Sequence, residues 1–313
     1  MSLTPKGGLD TAAGKRDLIS MRDLNGEDIE FLLNRAEETE FQKTLEGKQI
    51  ALLFYENSTR TYSSFRTAVH QLGGLTCGFF GVGGTSVLKG ESLHDTVKMF
   101  EEYADGIVIR HPSDGAARWA AEVSRVPVIN AGDGKNQHPT QTLLDLLAIR
   151  RTQKKLGGLK VALVGDLKYG RTVRSLSLAL SLFPDNQLFL VSPQSLRMPD
   201  YLVDELEGRG VALRHSSQLD EVIPEVDVLY MTRIQAERID NPEEYQAVRG
   251  SYRLQAQHLS TAKPNLKILH PLPRVDEIAR DVDQTPHAHY FEQAKGGVEV
   301  RRAVLDVLVG GMK

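Results

Sequence analysis

Only one cysteine, Cys77, occurs among 313 residues, so the chain can close no internal disulfide and build no cysteine-rich metal site. A reducing compartment is its natural setting. Long apolar runs are missing too: no uncharged stretch approaches the roughly 20 residues that span a bilayer, and Met1–Gly8 offers no stretch of signal-peptide length. These two shortages predict a cytoplasmic protein with no membrane partner. A basic excess is also absent, since 38 Lys and Arg against 41 Asp and Glu leave a formal net charge of −3. Without a cationic footprint, nucleic acid is not expected as the main partner. No short repeat and no low-complexity segment interrupts the chain.

What remains is ordinary globular composition, 41% hydrophobic and 25% charged, which excludes disordered, collagen-like and coiled-coil classes. At this length one core nears its limit, and two domains of about 150 residues each are expected. The spacing of Ile29, Leu32, Leu33 and Ala36 predicts a helix. Short apolar runs then alternate with helical patterns. Strands are predicted over Gln49–Tyr55, Thr76–Phe80, Gly106–Arg110 and Val126–Asn130, with helices around Phe65–Leu72 and Leu93–Ala104. A long helix over Pro139–Leu156 ends in Arg150, Arg151, Lys154 and Lys155, followed by Gly157 and Gly158. A second series then runs through Val161–Val164, Arg171–Phe183, Leu188–Val191, Tyr201–Glu207, Val226–Met231 and Leu266–Leu269. Strands alternating with helices imply two α/β domains, each a parallel sheet flanked by helices.

Ligands of such sheets bind at the carboxyl ends of strands, so the residues after each apolar run carry the function. Ser58, Thr59, Arg60 and Thr61 follow the first strand and open a helix, a ready anion site; the plain alternative is that Ser58 or Thr59 is an ordinary N-cap. Arg110 ends a strand and precedes His111 and Pro112. His138 and Gln141 lie three apart at a helix start and share a face. Lys89 sits in an aperiodic glycine-rich stretch, Gly78–Gly90, expected to act as a mobile lid. Arg233 and Gln235 follow one strand of the second series; His270, Pro271, Leu272, Pro273 and Arg274 follow another. Gly165 and Gly170 with Arg171 and Thr172 imitate a phosphate loop, but the lysine is replaced and Asp166 puts a carboxylate in the cradle. No Gly-x-Gly-x-x-Gly follows any strand, which excludes a dinucleotide site. Five cations, Arg60, Lys89, Arg110, Arg171 and Arg233, therefore gather at strand ends or in the lid of a net-negative chain. They point to small polyanionic ligands handled by positioning and electrostatics. No carboxylate pair, Ser/His/Asp order or metal-ligand spacing stands out.

In order and spacing, Ser58-Thr59-Arg60-Thr61, Lys89-Gly90-Glu91, Arg110-His111-Pro112, His138-Pro139-Thr140-Gln141, Asp166 to Arg171, Arg233-Ile234-Gln235 and His270-Pro271-Leu272-Pro273-Arg274 resemble the catalytic chains of the aspartate carbamoyltransferase family, from about Leu18 to about Leu308. The resemblance implies a carbamoyl phosphate domain, residues 1–150, completed by a C-terminal helix at about 290–313 that crosses back, and an aspartate domain, residues 151–289. It implies carbamoyl transfer to L-aspartate in de novo pyrimidine biosynthesis, with no metal or organic cofactor. The unit implied is a homotrimer with active sites shared between subunits, leaving open whether regulatory chains join it. Carried over by motif, Arg60, Thr61, Lys89, Arg110 and His138 are catalytic, and Thr61, Arg110 and His138 polarise the carbonyl oxygen. Ser58, Thr59, Arg60, Thr61, Arg110, His138, Gln141 and the backbone of Pro271 and Leu272 hold carbamoyl phosphate. Lys89, Arg171, Arg233 and Gln235 bind aspartate. Two departures stand out: the lid is one residue shorter than usual before Lys89, and Tyr62 replaces a common arginine. Ornithine carbamoyltransferase is the alternative enzyme, disfavoured by Pro271 where it usually has cysteine and by the two arginines that would repel a cationic substrate. A non-catalytic ligand sensor would have lost Arg60, Lys89, Arg110 or His138, and all four are present.

Overall fold

In strand β1 (Gln49–Phe54), Ile50 through Phe54 are fully buried, as a strand covered on both faces requires. The computed structural model describes residues 16–40, 42–235 and 242–311; the leader Met1–Gly8 lies outside them. β1 is followed by β2 (Leu75–Phe80), β3 (Gly106–His111) and β4 (Val128–Asp133) in a parallel sheet of order β2-β1-β3-β4. Around it lie α1 (Gly26–Glu37), α2 (Thr59–Gln71), α3 (Leu93–Tyr103) and α4 (Ala116–Val123). α1 opens on a capping box between Asn25 and Asp28 and buries Ile29, Leu32, Leu33 and Ala36, the expected stripe.

Helix α5 (Pro139–Gln153) leads to the second sheet, β5 (Lys160–Val164), β6 (Gln187–Val191), β7 (Ala212–Ser216), β8 (Val228–Met231) and β9 (Lys267–Leu269), all parallel in the order β7-β6-β5-β8-β9. Its helices are α6 (Arg171–Leu180), α7 (Asp200–Gly208), α8 (Leu219–Val222), α9 (Pro242–Val248) and α10 (Tyr290–Leu305). The expected fold class, two parallel sheets flanked by helices, is what the chain adopts.

Two compact units result, 1–143 with 296–313, and 144–295. The divisions fall inside α5 and α10, not at residues 150 and 290, because each helix is continuous across the change of unit. After α10 a π-helical turn (Asp306–Gly310) belongs to the first unit, where Arg35 Nε donates to Asp306 at 2.6 Å and Arg301 lies 5.1 Å over the Phe65 ring.

Several elements escape the periodicity. α4 builds its buried face from small residues, Ala116, Ala117, Ala120 and Ala121, which a search for large apolar residues passes over, and β7 is an edge strand whose residues are mostly exposed and carries no hydrophobic stripe. α8 and α9 are too short to show one. α6 stops at Leu180, short of Phe183, with Pro184 just beyond. Gly78 to Phe80, expected both in the strand Thr76–Phe80 and at the start of the lid Gly78–Gly90, belong to β2; Gly78 lies there at φ +108°, and a Cβ there would meet the Leu52 carbonyl oxygen at 2.4 Å. That glycine serves strand packing. Tyr62, the departure from the family pattern, packs edge-on against Phe54 and Phe80 with ring centroids 5.2 and 5.0 Å apart.

Candidate active site

The first sheet aligns its four carboxyl ends. β1 pairs with β3 up to Phe54 and Arg110, and β3 with β4 up to His111 and Asp133. Strand order therefore brings the segments after β2, β1, β3 and β4 side by side, with the reversal of strand order between β1 and β3, where ligands of open sheets bind. Those segments carry Lys89, Ser58–Thr61, Arg110 and His138 with Gln141.

Ser58 stands at the N-cap of α2, but its hydroxyl makes no capping bond; it donates to Thr61 Oγ1 at 3.0 Å instead. The ordinary-cap explanation therefore fails, and the amides of the first helical turn stay available to an anion. Arg60 is exposed on that turn and has no carboxylate partner among the described residues. Thr61, Arg110, His138 and Gln141 are each less than a tenth exposed. Arg110 Nη2 lies 2.8 Å from Glu56, the residue after Tyr55 at the end of β1, and Nη1 donates to the Ala131 carbonyl at 3.2 Å. The sequence reading gave Glu56 no role, because nothing in its spacing shows that β1 neighbours β3. His138 precedes Pro139 at the start of α5, and its carbonyl accepts from the amides of Gln141 and Thr142 at 3.0 and 3.1 Å. Lys89 ends a short 3-10 turn, Ser86–Lys89, and is exposed.

The second sheet repeats the plan, with its reversal between β5 and β8. Gly165 follows β5 at φ +111°, where a Cβ would meet the Thr232 carbonyl oxygen at 2.4 Å. Only glycine lets the loops after β5 and β8 approach this closely. Asp166 is fully buried; its carboxylate accepts from the Tyr169 amide at 2.8 Å and the Gln235 amide at 3.4 Å. That carboxylate ties together the loops bearing Arg171 and Arg233–Gln235, which is why the imitation of a phosphate loop is no phosphate cradle. Arg171 is the first residue of α6 and is buried. Arg233 lines a cavity of about 130 Å³ with Thr232, Ile234, Tyr245, Tyr252 and Glu277.

Beyond β9, His270 is buried and its Nε2 lies 2.7 Å from Glu277 Oε1, a pair invisible in the sequence. Burial lowers the pKa of His270, and the nearby Arg274 and Arg233 add to that, outweighing the pull of Glu277. Burial would raise Glu277, but His270 and the backbone amides of Glu277 itself and Val275 hold its carboxyl below the usual range; the Val275 and Asp276 amides lie 3.1 Å from Oε2. The pair is thus a neutral imidazole against a carboxylate.

No group of three or more His, Cys, Asp or Glu able to hold a metal ion occurs among the described residues, and no helix among them is long and apolar enough to cross a membrane.

Residues 16–151 match the family model described as the carbamoyl-P binding domain of aspartate/ornithine carbamoyltransferase, and residues 157–308 match that of the Asp/Orn binding domain. The chain belongs to the aspartate/ornithine carbamoyltransferase family. Among relatives in that family, it is 54% identical over 302 residues to the aspartate carbamoyltransferase catalytic subunit of Thermococcus onnurineus, covering 94% of this chain and 97% of that one. It is 53% identical over 298 residues to the catalytic subunit of Chromobacterium violaceum, covering 94% and 98%. Of solved structures, it is similar to the catalytic subunit of M. jannaschii aspartate transcarbamoylase (TM-score 0.86, 48% identity, 94% and 97% covered). It is also similar to the Trypanosoma cruzi enzyme in complex with carbamoyl phosphate and aspartate (TM-score 0.89, 36% identity, 97% and 98% covered).

Burial of histidines gives this member of the family an acid limb of stability. His111, His270 and His289 all have pKa values lowered first by burial. An unfolded chain takes up these protons near pH 6.5 whereas the fold resists, so the unfolded state binds more protons and stability rises with pH through that window. As pH falls below about 6.5 each group removes at most about 1.4 kcal/mol per pH unit. Thermal unfolding followed from pH 7.5 to 5.5 should show a falling midpoint; a midpoint flat over that range contradicts the assignment.

Proposed function

We propose that this chain transfers the carbamoyl group of carbamoyl phosphate to the amine of L-aspartate, releasing phosphate, in de novo pyrimidine biosynthesis. The reading is carried by two observations, one in each unit: an uncapped helix start bearing Arg60, and Arg171 and Arg233 at adjacent strand ends. A phosphate dianion and a dicarboxylate together call for about that many donors and cations. Ser58, Thr59, Arg60 and Thr61 hold the phosphate, and Gln141 holds the carbamoyl amide. Attack by the neutral amine builds negative charge on the carbonyl oxygen, which Thr61, Arg110 and His138 stabilise from nearly buried positions where donors act strongly. The departing phosphate takes the amine proton. Arg171, Arg233 and Gln235 grip the aspartate carboxylates, and the carbonyls of Pro271 and Leu272 orient substrate amino groups. No metal or organic cofactor takes part. The chain works in the cytoplasm as a homotrimer in which Lys89 serves a neighbour's site; regulatory chains are compatible with that assembly.

Aspartate is preferred over ornithine because Pro271 stands where the ornithine enzymes usually carry cysteine, and two arginines would face a substrate ammonium. An assay of carbamoyl-product formation should give kcat/KM for aspartate at least about 100-fold above that for ornithine, unchanged by a chelator. Equal use of ornithine, or loss of activity on chelation with recovery on added Zn²⁺, overturns the reading.

A further inference from the structure

The loop after β9 carries Pro271 and Leu272, and its shape is unusual. Leu272 adopts φ +55°, a left-handed conformation unfavourable for a non-glycine residue, so something must hold it. His270 does so directly: its Nδ1 accepts the Leu272 amide hydrogen at 2.8 Å. With Nδ1 committed as an acceptor, a neutral ring carries its proton on Nε2, the nitrogen 2.7 Å from Glu277 Oε1. Glu277 is itself fixed by the amides of Val275 and Asp276. The backbone of His270 is held from the opposite direction. Its amide donates to Gln293 Oε1 at 2.8 Å, Gln293 Nε2 donates to Asp145 Oδ1 at 2.6 Å, and Tyr230 Oη donates to Asp145 Oδ2 at 2.8 Å. His270, Gln293, Asp145 and Tyr230 are at most 1% exposed and Glu277 is 6% exposed.

A buried carboxylate and imidazole are costly unless satisfied; here the 2.7 Å approach of Nε2 to Oε1, the Leu272 amide on Nδ1 and the Gln293 contact to the His270 amide act together on the backbone at Leu272. We infer that Glu277 and His270 are positioning residues for the transfer reaction, with Glu277 fixing the imidazole tautomer that pins the Leu272 turn, and Asp145 and Gln293 anchoring its base. The inference rests on the reading above, in which that turn orients substrate amino groups. Neither residue touches substrate. The effect belongs to turnover, because an amine misplaced by about 1 Å costs the transition state more than the ground state.

Glutamine and asparagine at position 270 separate the two nitrogens. His270→Gln keeps a polar group near Nε2, within reach of Glu277, and loses the acceptor for Leu272. His270→Asn keeps an acceptor near Nδ1. We expect His270→Gln to lower kcat by about 100-fold, with the dissociation constant for inorganic phosphate, which reports the Arg60 half, unchanged. His270→Asn should recover at least about tenfold of that loss. Both are compared per folded molecule, with the folded fraction measured by thermal unfolding. Equal kcat values in the two variants, or a glutamine variant within about threefold of wild type, overturn the positioning role while leaving the proposed activity standing. A glutamine variant that fails to fold passes the decision to Glu277→Gln against Glu277→Ala, where alanine should lower kcat further than glutamine, which keeps one of the two acceptor oxygens, and a loss equal in both overturns the role. A wild-type protein that turns over no aspartate in the same assay overturns both.

Discussion

Arg60→Ala is expected to lower kcat/KM for carbamoyl phosphate by roughly 150-fold, about 3 kcal/mol of transition-state stabilisation. Arg60 is the second residue of α2, on a turn whose amides no side chain caps, and no carboxylate neutralises it among the described residues. Its fork is therefore available for two parallel bonds to phosphate oxygens. The amides remain in the alanine variant, so some phosphate affinity should survive. Lysine in its place should recover only part of the loss, because an ammonium is a point charge without the planar fork. Steady-state rates with both substrates varied, on protein whose thermal unfolding matches wild type, check the expectation. Kinetics within a few-fold of wild type would mean the phosphate sits elsewhere.

Mixing two dead variants is expected to restore activity. If Lys89 serves a neighbouring chain, trimers made only of Lys89→Ala or only of Arg60→Ala chains are nearly inactive. A mixed trimer holds one position where an Arg60-intact site meets a Lys89-intact loop, because cyclic contacts run head to tail. Random reassembly of equal amounts makes about three quarters of trimers mixed, hence about one quarter of all sites complete. Dissociating, mixing and refolding the variants, then comparing activity with each refolded alone, reads this fraction. Exposure of Lys89 on its short turn, with no carboxylate partner among the described residues, is consistent with work outside its own subunit. No recovery, with mixed trimers shown by mass, would assign Lys89 to its own chain or to no catalytic role.

Much of the architecture was legible because its signals are local. Runs such as Ile50–Phe54 and Val161–Val164 mark strands covered on both faces, and the stripe of α1 marks its buried side. The same locality explains the misses. The buried face of α4 is made of alanines and the exposed edge strand β7 has no stripe to read, and Gly78, which fell in both the predicted strand and the expected lid, is assigned to the strand by the Leu52 carbonyl beside it.

Local patterning settled the residue types at each strand end, Arg60 after β1, Arg110 near the end of β3, Arg171 after β5 and Arg233 after β8, and with them a polyanion-handling family. Only the tertiary structure decided which of these ends are neighbours, because strand order depends on pairings such as Phe54 with Arg110 and Val164 with Met231 that no local periodicity encodes. It alone decided that Glu56 pairs with Arg110, that Asp166 is spent on loop amides, and that His270, Glu277, Gln293, Asp145 and Tyr230 share one buried network. Polar residues scattered along a sequence look solvated. Their meaning appears only when burial removes water and leaves each with a single partner to satisfy it.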